Sequence, residues 1–64
     1  MNKHLALVAL DESVQDRMNI LFANLHMGIG IGDKDASGHF EKGIKSLGDA
    51  HRAATEVIGK IFPD

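Results

Sequence analysis

Asp33, Asp35, Ser37 and Glu41 are the residues whose types and spacing could do chemistry in this chain. Oxygen donors on alternate positions, with Gly38 to permit a sharp turn, suit a hard cation such as calcium, which gathers about six to eight oxygens around itself. Other chemistry has less to work with. There is no cysteine, which removes thiol catalysis and cysteine zinc sites. His4, His26, His39 and His51 form no His-x-x-x-His, Glu-x-x-His or His-Glu-x-x-His pair of the kind that holds a metal on helices. Ser13, Ser37, Ser46 and Thr55 stand in no recognisable nucleophile context. No catalytic residue is assigned, and an enzyme is not expected; the one cofactor considered is calcium.

From Asp33 the order Asp33-x-Asp35-x-Ser37-Gly38-His39-Phe40-Glu41 resembles the first nine positions of an EF-hand calcium loop, with the glycine sixth and an apolar residue eighth. The chain departs from that pattern at the twelfth position, where Ile44 stands in place of a bidentate glutamate, and before Asp33, where glycines replace an entering helix. The same letters are ordinary turn chemistry, in which Asp35 or Ser37 would cap a following helix. A calcium- or metal-responsive loop is therefore an alternative reading. Gly28-x-Gly30-x-Gly32 is not a dinucleotide fingerprint, since no βαβ unit fits around it, and Gly32-Asp33-Lys34 lacks the Gly-Lys-Ser/Thr of a phosphate-binding loop.

The elements that must position this loop are two helices. Leu7, Leu10, Val14, Met18, Leu21 and Leu25 recur every three or four residues, which places them in one stripe of a helix over about residues 4–27. Ile20, Phe22 and Met27 widen the apolar arc beyond what a single neighbour covers. Four of the seven glycines fall in residues 28–38, where helical patterning fails and a loop is expected, with Gly28 as the residue that ends the first helix. The second helix, over about 38–62, carries Phe40, Ile44, Leu47, His51, Ala54, Ile58 and Ile61 in a four-three alternation, the spacing of a coiled-coil seam. Gly43, Ala50, Ala53 and Val57 lie beside that seam and are small enough for another backbone to come close. Its outer side offers the pairs Glu41 with Lys45, Lys45 with Asp49, Asp49 with Arg52 and Glu56 with Lys60. His51 is the polar member of the seam, a position at which a buried polar group can set register or oligomer order.

The fold expected is all-α: a helical hairpin of two long helices joined by a Gly-rich loop, one domain over residues 1–64, dimerising into an antiparallel four-helix bundle. Self-association follows from size. A domain of 64 residues buries only about 60% of the surface of its unfolded chain, and without disulfides it needs a metal or another copy to complete a core. The oligomer interface is assigned to Leu21, Leu25, Phe40, Ile44, Leu47, His51, Ala54, Ile58 and Ile61.

Seven Lys and Arg against nine Asp and Glu give a net charge of −2 with the signs interspersed, which disfavours a nucleic-acid partner. The apolar run Leu5-Ala6-Leu7-Val8-Ala9-Leu10 is far shorter than the ~20 residues of a membrane span, and it meets Asp11 and Glu12 rather than a cleavage site. Neither a membrane partner nor a signal peptide is expected, and the location expected is cytoplasmic. Read as a strand, residues 5–10 would make a ribbon-helix-helix-like dimeric DNA-binding regulator, but a ribbon reads bases with polar side chains and this one has none. The function expected is a small homo-oligomeric protein-interaction module, an adaptor, inhibitor or regulator, whose partners are itself and another protein.

Overall fold

Asn2 starts the structure. Its backbone is extended, and its side-chain oxygen accepts a hydrogen bond from the Leu5 amide at 2.9 Å, so one of the four orphan donors at a helix start is satisfied. In this computed structural model, which describes residues 1–63, helix α1 then runs without a break over Lys3–Gly30. Residues 5–10 belong to it, which removes the strand that a ribbon-helix-helix arrangement would need.

α1 continues past the point where the glycines imply a stop. Gly28 and Gly30 are helical, and the turn belongs to Gly32, whose φ of 78° is the left-handed conformation that favours glycine. Around it the amide of Asp33 donates to the Gly28 carbonyl at 2.9 Å and the amide of Gly32 to the Ile29 carbonyl at 3.1 Å. That pair of bonds is the Schellman closure, with Gly32 rather than Gly28 as its C′ residue. The loop is accordingly residues 31–35 and not 28–38.

Helix α2 spans Ala36–Ile61 and is continuous through Gly48. Asp35 takes the N-cap position but makes no side-chain cap bond; instead its amide donates to Asp33 Oδ1 at 2.9 Å, so Asp33 shapes the loop. At the far end Phe62 turns out of the helix ahead of Pro63, whose ring disfavours helical backbone in the residue before it.

The two helices lie antiparallel in a single layer, with Cα extents of 49 × 16 × 9 Å. The stripe of α1 named above and the seam of α2 as far as Ile58 face each other, and every one of those residues is half-buried. Ile61, past the end of the shared seam, is 62% exposed. The tightest packing is near the tip, where Gly28 and Ala36 are both buried and a Cβ on Gly28 would come within 2.8 Å of the Ala36 Cβ. Gly28 is thus a close-approach residue between the helices.

Candidate interaction surface

The seam gives the hairpin two broad faces, and each has its own shallow groove along the helix junction. One is bordered by Val14, Met18, Ile44, Gly48 and His51; the other, on the opposite side, by Arg17, Leu21, Gly43, Ser46 and Ala50. Leu47 reaches both grooves and so marks the mid-line. Helical spacing assigns the neighbours. Phe22, four residues after Met18, falls on the first face, whereas Ile20, three after Arg17, and Val57, seven after Ala50, fall on the second.

The first face holds polar contacts across the seam. Asp11 Oδ1 lies 3.6 Å from His51 Nε2, an ion pair when the imidazole is protonated. Asp11 stands one residue beyond Leu10, at the margin of the apolar stripe, so a reading of apolar spacing alone passes over it. Nearer the tip the rings of Phe22 and Phe40 pack with centroids 5.2 Å apart at a tilt of 40°, a favourable aromatic geometry. At the outer edge Lys45 Nζ pairs with Glu41 at 3.2 Å, and Arg52 with Asp49 at 3.8 Å, two of the pairs expected from helical spacing. All are well exposed and each contributes less than about 1 kcal/mol.

The second face is built mainly from small and apolar side chains, and toward the tip it passes, through Leu21, into a hollow bordered by Asn24, Asp33 and His39. Gly43 lies directly under Leu21: a Cβ there would fall 2.6 Å from Leu21 Cδ2, so the leucine fills the space that a larger residue would take. Ala50 and Ala53 are exposed, as are Ile20 at 48% and Val57 at 51%. Arg17 is the charged residue bordering its groove, and it takes part in none of the ion pairs described above.

The proposed cation ligands are not drawn together. Asp33 is bonded to the Asp35 amide and borders a hollow with Asn24, Ala36 and His39, while Glu41 is engaged by Lys45 one turn or more into α2. Ser37 lies in the first turn of that helix. Among the described residues no three His, Asp or Glu side chains form a group that could hold a metal. Nor is any helix of the described residues long and apolar enough to cross a membrane.

Of the nine residues assigned to an oligomer interface, all but Ile61 sit half-buried in the seam of one chain, where each still offers part of its surface to a further neighbour. Sequence spacing passes over Ala6 and Ala36 and reads Gly28 only as a helix end; these three are the buried residues of the described chain. Alanine and glycine carry little weight in an apolar pattern, yet they are what allows the backbones to approach.

Comparison of the chain with protein-family models, with curated proteins and with solved structures finds no match.

Proposed function

We propose that the chain is a homo-oligomeric helical interaction module without catalytic activity, in which hairpins pair as a four-helix bundle and the surface left over contacts another protein as an adaptor, inhibitor or regulator. The observation that supports this is the missing interior. Among the described residues only Ala6 and Ala36 are buried hydrophobics, and no large side chain is fully buried. The chain exposes 5000 Å², whereas a folded monomer of 6.9 kDa is expected to expose about 4000 Å². The excess is about 1000 Å², close to the ~800 Å² that each partner contributes to an interface of standard size.

A metal is not needed to complete such a core, since half-buried Leu, Ile, Val and Met on both helices would be covered by the same residues of another copy. The deciding experiment is the solution mass by light scattering at micromolar concentration. A mass of at least two chains with high helical content supports the reading. A folded, stable species of 6.9 kDa would overturn it.

A further inference from the structure

We infer that a second copy of this chain covers the small-residue face, the one bearing Ile20, Gly43, Ala50 and Val57, and that the two hairpins lie with their loops at the same end. This rests on the self-association proposed above and specifies its geometry. Three observations carry it. The broad side of the hairpin, 49 Å by 16 Å, presents an area of the size that one partner of a standard interface buries. Ile20 and Val57 on the small-residue face are about half exposed, and Ser46 and Ala50 leave a low surface that another helix can approach closely. Covering the opposite face would desolvate the Asp11–His51 pair and crowd Glu41 with Lys45, whereas the small-residue face carries none of the ion pairs described.

Arg17 decides the orientation. It stands near the middle of α1 and borders one groove with Ser46 and Ala50, so those residues share its height along the hairpin. A two-fold axis across the helices puts the loops at opposite ends, stacks α1 on α1 and brings the two Arg17 guanidinium groups together, with no described carboxylate bordering that groove. A two-fold axis along the helices keeps heights unchanged and lays α1 of each copy over α2 of the other. Each Arg17 then rests on the Ser46 and Ala50 stretch of its neighbour, where the space above small residues lets the long side chain run out to solvent. Both arrangements are antiparallel between adjacent helices, so only charge separates them.

The chain has no cysteine, so Lys34→Cys gives a unique spin label on the loop. With loops at one end, dipolar spectroscopy should read an interchain distance within about 30 Å, the span of a few packed helices. A distance near the 49 Å length of the hairpin would overturn the orientation. Absence of any interchain distance together with a monomeric mass would overturn the self-association itself. The face is tested by Ala50→Glu against Gly48→Glu. Ala50 is exposed in the hairpin and glutamate is a good helix former, so the first variant should keep its helicity while its dimer dissociation constant rises about 100-fold or more. Gly48→Glu, on the opposite face with nothing within 4 Å of an added Cβ, should leave the mass unchanged. The reverse pattern would place the second copy on the other face.

Discussion

The two faces of this hairpin are made from the same two helices, yet covering them has different consequences. On one, side chains reach across the seam and pair with each other, as Asp11 does with His51 and Phe22 with Phe40. On the other, small residues leave aliphatic surface open, and a single arginine borders a groove that has no carboxylate. The lesson is that apolar content alone does not pick out a contact surface in so thin a molecule. What distinguishes the faces is which polar groups would have to be desolvated when a neighbour arrives.

The largest effect should come from the residue the faces share. Leu47 borders both grooves, so Leu47→Asp removes an apolar anchor and places a carboxylate in the seam whichever side a partner takes. A loss of about 3 kcal/mol or more is expected, visible as the collapse of helical ellipticity at ambient temperature. Retention of both mass and melting temperature would show that the seam is not the core.

Three glycines sharpen the comparison at smaller magnitude. Gly28→Ala should destabilise by about 1–3 kcal/mol despite the better helix former, because the new methyl would meet the Ala36 Cβ at 2.8 Å and neither atom can rotate away. Gly48, on the ion-paired face, has nothing within 4 Å of an added Cβ, so Gly48→Ala should stabilise by about 1 kcal/mol through propensity alone. Gly43→Ala lies between them. Its methyl displaces the flexible end of Leu21, so the propensity gain should be largely cancelled and the displaced leucine should loosen the dimer. Chemical denaturation of the three variants side by side orders them. If Gly43→Ala proved as stabilising as Gly48→Ala with no change in mass, the small-residue face would not be packed against anything.

Much of this was readable from spacing, and the residues that were not share a cause. The α1 stripe and the α2 seam through Ile58 appear where periodicity puts them, since large apolar side chains must be covered and helical geometry fixes which ones line up. The glycines place the loop too early and too wide because Gly28 has two possible uses in a sequence, ending a helix or admitting a neighbour, and only the position of Ala36 tells which applies. Asn2 is a good cap residue, but no Glu or Gln stands three positions on to mark the box. The Asp33 to Glu41 spacing resembles a cation loop because turn-forming and cation-binding residues are the same types; Asp33 accepts from the Asp35 amide, and Glu41 pairs with Lys45. The choice of face needed three dimensions, as it depends on where Asp11 lies relative to His51.

The smallest expected effect tests the polar side of the comparison. Asp11 and His51 approach to 3.6 Å across the seam with side chains 71% and 44% exposed, so water screens them and their attraction should contribute no more than about 1 kcal/mol. The contact is an ion pair when the imidazole is protonated, with the aspartate as its acceptor. Asp11→Asn should therefore lower stability by no more than about 1 kcal/mol, with the difference shrinking as salt is added. The mass should stay that of the unmodified protein, because a partner on the small-residue face leaves this pair in solvent. Thermal melts of the two proteins at two salt concentrations make the comparison. An Asp11→Asn loss of several kcal/mol that salt does not weaken would mean the pair is buried in the assembly, and the second copy would then lie over His51 rather than over Ala50.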